Sequence, residues 1–140
     1  MVDRSKVYTK IQFLKMSLKR LEELKQHSQD EFLENFTYFD SAKYNLIVAI
    51  EAIIDICNHI ISRENLEVPS TSADSIKILV KHGVIPAENQ GIFVAMVKFR
   101  NKAVHLYDEI KDEEVYRILQ EHLGDFDRFV EAILGYMMGR

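Results

Sequence analysis

The chain has 140 residues, 47 % of them hydrophobic, and a formal net charge of −4 at pH 7, which suits one soluble domain over residues 1–140 with a single core. Two prolines, five glycines and no tryptophan exclude a turn-dense all-β fold. A single cysteine, Cys57, excludes an intrachain disulfide and a cysteine-rich zinc site, and points to a reduced, cytoplasmic compartment.

From about Asp3 to His27, Val7, Ile11, Leu14, Leu18 and Leu21 recur at spacings of four and three, which predicts a first helix with one apolar stripe. This stretch is also the basic part of the chain. Residues 1–26 hold seven Lys/Arg against three Asp/Glu, a balance of +4, so the remainder carries −8. A general polyanion binder is basic overall. Any RNA contact is therefore expected to be local, and a solvated helix face accounts for the lysines equally well.

A second helix is expected from about Asp30 to Arg63, aromatic at its start (Phe32, Phe36, Tyr38, Phe39) and aliphatic afterwards. A helix apolar nearly all round belongs at the centre of a bundle. Its longest apolar run, Asn45 to Ile61, is interrupted by Glu51, Asp55, Asn58 and His59 and falls short of the roughly 20 residues of a membrane span. No secretory leader or membrane association is expected. After a loop containing Pro69, Ser72 is placed as N-cap of a short third helix ending at His82, with Gly83 as its left-handed stop. Pro86 suits the first turn of a fourth helix reaching about Val104. Asp112 could cap a fifth helix to about Met138, with Gly124 as its weak point. The expectation is an all-α, up-and-down bundle of four long helices and one short helix.

One stretch reads as chemistry. Lys98-Phe99-Arg100-Asn101-Lys102-Ala103-Val104-His105-Leu106-Tyr107 brings an arginine, a histidine and a tyrosine to a helix end. Cleaving RNA without a metal needs a base for the 2′-hydroxyl, an acid for the departing 5′-oxygen and a cation for the phosphorane charge. Histidine can fill either proton-transfer role at neutral pH, and arginine pairs with phosphate bidentately. On a straight helix, His105 points about 140° away from Arg100. Either the helix unwinds near His105, or a second copy of the chain completes the site. The plainer alternative is a helix-end histidine beside a surface arginine paired with Asp108 or Glu109.

Arg100, His105 and Tyr107 form an Arg-x4-His-x-Tyr pattern that resembles the signature of HEPN-domain ribonuclease toxins, most closely the HepT-like subfamily of type VII toxin–antitoxin systems. Asn101 after the arginine and the acidic Asp108-Glu109 tail fit it too. The resemblance extends to the central Ala49–Ile56 segment and to the helix order. It implies a HEPN-like fold and a homodimeric, metal-independent endoribonuclease that needs no cofactor. It also implies an MntA-like minimal nucleotidyltransferase antitoxin as partner, which moves AMP from ATP onto the motif tyrosine, here Tyr107. Arg100 and His105 are then the catalytic pair, with RNA as substrate.

Glu51, Asp55, Asn58 and Ser62 form a polar ridge on the second helix. Asn101, Glu51 and Asp55 are candidate supporting residues, with Glu51 or Asp55 orienting Arg100 or His105; the ridge is equally explained as the wet edge of a buried helix. His27, His59, His82 and His122 show no metal-ligand spacing, and Cys57 reads as a small core residue. Two other function classes fit the same residues. One is a non-catalytic HEPN subunit that binds substrate or nucleotide for a nucleotidyltransferase; the other is an interaction bundle without a small ligand.

Overall fold

The alternating spacing of the first segment sets the first packing surface. In the computed structural model, which describes residues 1–139, Val7, Ile11, Leu14, Leu18 and Leu21 are all buried on one face of α1 (Arg4–Lys25). The Asp3 carboxylate caps this helix by accepting from the Lys6 N–H at 3.2 Å, satisfying a donor that has no partner within the helix.

The single helix expected from Asp30 to Arg63 is two. Ser28 and Glu31 form a reciprocal capping box that starts α2 (Gln29–Glu34). Asn35 then interrupts the run, with extended backbone (φ −120°, ψ 104°) and a side-chain oxygen that accepts from the Thr37 N–H and hydroxyl. A short amide side chain competes in this way with the continuing helical bonds, and α3 (Phe36–Arg63) starts afresh behind it.

The axis of the bundle is α3, packed against α1, α2, α4, α5 and α6. Taken whole, it is long and apolar enough to cross a membrane, with a mean hydropathy of 1.5 over its most apolar window. Yet 61 % of that window is buried inside the bundle, where its apolar faces meet neighbouring helices. Thr71, rather than Ser72, caps α4 (Ser72–Lys81) by accepting from the Asp74 N–H. Gly83 ends that helix at φ +75°, a conformation open to glycine at no steric cost. Pro86, expected in a first helical turn, precedes a 3-10 turn (Ala87–Asn89) that leads into α5 (Gln90–His105).

The expected fifth helix is also divided. Asp112 stands in the first turn of α6 (Asp112–Glu121) with Glu113 and Glu114, rather than at the cap, which is Lys111 without a side-chain bond. The backbone leaves the helix at His122 (φ −124°, ψ 3°), and Gly124 opens α7 (Gly124–Met137) with Asp125 and Asp127 in its first turn. Carboxylates favour a helix N-terminus over a continuing interior. The result, among the described residues, is seven α-helices in the expected all-α bundle, around one connected apolar cluster.

Candidate active site

The motif lies where α5 ends. The Leu106 N–H still bonds the Lys102 carbonyl at 2.7 Å, so His105 is helical; Leu106 itself (φ −134°, ψ 48°) breaks the helix. Charge places that break. Asp108, Glu109, Asp112, Glu113 and Glu114 follow in sequence; a helix C-terminus repels carboxylates and the first turn of the next helix attracts them. Tyr107–Glu109 forms a 3-10 turn, and buried Ile110 anchors it to the core. Because α5 is unbroken from Arg100 to His105, the two side chains diverge by about 140° around its axis. The helix does unwind near His105, but only from Leu106 onward, which is too late to turn His105 toward Arg100.

Arg100 is held loosely. Its Nη1 donates to Asn101 Oδ1 at 3.0 Å, and its Nη2 faces Glu51 Oε2 at 3.8 Å, longer than a hydrogen bond. Its Nε–H is buried with no partner among the described residues. The two Nη groups, one bonded only to Asn101 and the other beyond hydrogen-bond reach of Glu51, keep donors for an acceptor such as a phosphate. The carboxylate it meets belongs to Glu51 of α3, not to Asp108 or Glu109. Asp55, one turn further along α3, pairs instead with Lys10 of α1 at 3.2 Å. Asn58 accepts from the buried Ser75 hydroxyl of α4 at 2.7 Å. The polar ridge thus meets three different neighbours, and Asp55, Asn58 and Ser62 line a groove against α1 that does not include Arg100.

His105 is exposed at the helix end. Tyr107 is not free: its hydroxyl donates to Asp40 Oδ1 at 3.2 Å, and the Lys43 ammonium lies 4.9 Å from its ring centre. Lys43 is 5 % exposed, ion-pairs with Asp112 Oδ1 at 3.0 Å and lies 5.4 Å from the Phe39 ring centre. Burial first, then the Asp40 charge and hydrogen bond, with Asp112 and Asp108 behind them, hold the phenol above its ordinary range. Sequence reasoning missed Asp40 and Lys43. Their signal was an aspartate and a lysine three residues apart on a helix otherwise read as apolar.

On an unbroken helix Arg100 and Tyr107 would lie about 20° apart, but the break at Leu106 puts Tyr107 in the 3-10 turn, off the helical register of Arg100. Their contacts on α3, Glu51 and Asp40, are eleven positions apart, about 16 Å of helix rise. The phenol and guanidinium of one chain therefore occupy different places.

The remaining histidines have structural partners. His27 stacks on Tyr38 at 4.0 Å, His59 Nε2 accepts from the Asp3 N–H, and His82 and His122 pair with Glu67 and Asp125. Among the described residues no group of three or more His, Cys, Asp or Glu side chains converges as a metal site would require. Cys57 is buried, and desolvation pushes its thiol well above the ordinary range. An apolar cavity of about 390 Å³ lies between α3, α5, α6 and α7, lined by Leu46, Met96, Phe99 and Phe126 among others. It holds none of the motif residues.

A sequence model of the family described as ribonuclease HepT-like matches residues 14–133. The chain is 35 % identical over 127 residues to the mRNA nuclease HepT of Shewanella oneidensis, covering 91 % of this chain and 95 % of that one. It is 24 % identical over 132 residues to the tRNA nuclease HepT of Aphanizomenon flos-aquae, covering 94 % and 90 %. Among solved structures it resembles a tri-AMPylated Shewanella oneidensis HEPN toxin in complex with an MNT antitoxin, with a TM-score of 0.84, 34 % identity, and coverage of 92 % and 96 %. It resembles Bacillus subtilis YutE in fold, with a TM-score of 0.82 at 23 % identity over 97 % of this chain and 91 % of that one. With this helix order, this motif and a match over most of its length, the chain belongs to the ribonuclease HepT-like family.

Proposed function

We propose that this chain is the toxin of a type VII toxin–antitoxin pair. It is a metal-independent endoribonuclease that acts as a homodimer in the cytoplasm. An MntA-like nucleotidyltransferase antitoxin silences it by transferring AMP from ATP to Tyr107. One observation carries the dimeric site: Arg100 and His105 diverge on a single unbroken helix, so one chain cannot aim both at one phosphate. Two chains related by a two-fold axis bring two arginines and two histidines together. Exposed apolar side chains suit such pairing. Phe13 and Val48 line a shallow groove with Glu51, and Tyr44, Val104 and Leu106 are exposed on α3 and at the end of α5.

In this reading Arg100 holds the scissile phosphate through its free donors, aided by Asn101, and balances the charge that builds on phosphorus. Glu51 sets the guanidinium without sequestering it. One His105 takes the proton of the 2′-hydroxyl as the O2′–P bond forms; its counterpart protonates O5′ as the P–O5′ bond breaks. Asp55 contributes at most through α1. An AMP group on Tyr107 adds bulk and negative charge within two residues of His105, where RNA must approach.

The test is cleavage of total RNA by purified protein, alongside growth arrest on expression without the antitoxin. Arg100→Ala and His105→Ala should each abolish both while the helical bundle stays folded, and EDTA should leave wild-type cleavage intact. Either variant cutting at the wild-type rate would remove this mechanism. A chain that receives AMP yet cuts no RNA would instead be a non-catalytic subunit of the transferase.

A further inference from the structure

We propose that Asp40 is the proton acceptor for Tyr107 during AMP transfer, so that this chain carries part of the machinery for its own modification. The inference rests on the reading of Tyr107 as the modified residue. Its observations lie on α3 and around the 3-10 turn, away from Arg100.

The Tyr107 hydroxyl already donates to Asp40 Oδ1 at 3.2 Å, the geometry a base needs before attack. A second contact holds the ring on the same side. Lys43 sits 4.9 Å from its centre, almost fully buried, and is tied to Asp112 at 3.0 Å. The charged groups acting on the phenol are Asp40 and Lys43 from α3, Asp108 from its own turn and Asp112 from α6. Lys43 and Asp112 engage each other, which leaves Asp40 as the carboxylate in hydrogen-bond contact with the phenol. A tyrosine phenol is protonated at neutral pH in any case, and these surroundings push it further that way. A hydroxyl in that state attacks phosphorus readily only if a base takes its proton, the task an aspartate performs for the substrate hydroxyl in protein kinases. Asp40 is itself exposed, so a transferase can bring ATP to this edge, and the proton can pass on to water.

Tyr107 Oη forms a bond to the α-phosphorus of ATP, and the bond from that phosphorus to the β-phosphate bridging oxygen breaks. Pyrophosphate leaves with the electron pair, and the Oη proton moves to Asp40 Oδ1.

The experiment follows AMP incorporation into the full chain by its partner nucleotidyltransferase with ATP, by intact mass and peptide mapping. Wild type, Asp40→Asn, Asp40→Glu and Tyr107→Phe are compared. Asp40→Asn should lower kcat by about 10²–10³-fold, within the usual range for losing a general base, with KM for this chain nearly unchanged. Its residual rate should climb about tenfold per pH unit between roughly pH 7 and 9, as phenolate replaces the missing base, while wild type stays flat. Asp40→Glu should recover much of the rate, which a misfolded or merely undocked variant would not. An Asp40→Asn rate within about threefold of wild type, or a loss confined to KM with a wild-type pH profile, overturns the role of Asp40 alone. A wild-type chain that takes no AMP, or a Tyr107→Phe chain that still does, overturns the reading of Tyr107 and this inference with it.

Discussion

The pairing of Lys43 with Asp112 gives the sharpest energetic test of how the modification end of the site is built. Lys43 is 5 % exposed, and the Asp112 side chain is 30 % exposed. Removing one member of a fully buried pair costs about 3–5 kcal/mol, because the other charge is left without a partner. Water reaches Asp112, so the cost of Asp112→Asn should be nearer about 2–3 kcal/mol, with the Phe39 and Tyr107 rings offering the stranded ammonium partial compensation. Lys43→Met keeps the aliphatic stem and leaves a carboxylate that is hydrated and favoured in the first turn of α6, so about 1 kcal/mol is expected. The double variant has no stranded charge and should also cost only about 1–1.5 kcal/mol, giving a coupling near 2 kcal/mol. Urea unfolding at one fixed protomer concentration measures all four proteins, since dimerisation makes stability concentration-dependent. For a chain of this size Asp112→Asn should lower Tm by about 8 °C. Strict additivity, with a coupling below about 0.5 kcal/mol, would refute the claim that Lys43 and Asp112 form a coupled, partly buried ion pair.

Two glycines should respond with opposite sign. Gly83→Ala should cost about 1–2 kcal/mol by urea unfolding, since Gly83 holds φ +75° and an added Cβ meets nothing within 4 Å, leaving backbone strain as the only term. Gly135→Ala, in helical α7 with equally open space, should stabilise by about 0.5–1 kcal/mol. Glu67 bonds Lys81 at 2.8 Å and His82 at 2.6 Å; Lys81 first, then its own backbone N–H, then His82 hold its carboxyl down to about 2 from 4.5. A lowered folded value gives stability that is present above 4.5 and lost as pH falls through about 2. The stability gap between wild type and Glu67→Gln should therefore narrow across that window, and a gap constant from pH 6 to pH 2.5 would contradict it.

Periodicity made α1 and the body of α3 legible, because a stripe of five buried aliphatics or a run of isoleucines admits few alternatives. The breaks were less legible. Asn35 and His122 end helices through side-chain bonds and backbone turns that carry no proline and no preceding glycine, and a pattern of apolar spacing runs across them undisturbed. The division of the polar ridge was invisible for another reason. Glu51, Asp55 and Asn58 share a face of α3, but that face borders α5, α1 and α4 in turn, and partner identity is a property of the packed bundle. Lys43 was passed over because a lysine in an apolar helix reads as a solvated residue until its carboxylate, 69 positions away at Asp112, closes on it.

The axial gap along α3 bears on how silencing works. Asp40, which holds the phenol, and Glu51, which faces the guanidinium, stand eleven positions apart on one rigid helix, about 16 Å of rise. Helical stiffness keeps those two anchor points apart, so with both contacts held the proposed AMP group is not expected to act through a salt bridge to Arg100 of the same chain. On the proposed assignment it would act near His105, two residues away, or across the two-fold axis on the arginine of the second copy. The two routes separate in mixed dimers. If the adduct works near its own His105, a dimer with one modified and one Tyr107→Phe chain keeps the unmodified histidine free but loses the acid–base pair. Such a dimer should still bind RNA while cutting it poorly. If the adduct works by capturing the opposite arginine, the same dimer should lose affinity for RNA as well, and salt should weaken what binding remains less steeply.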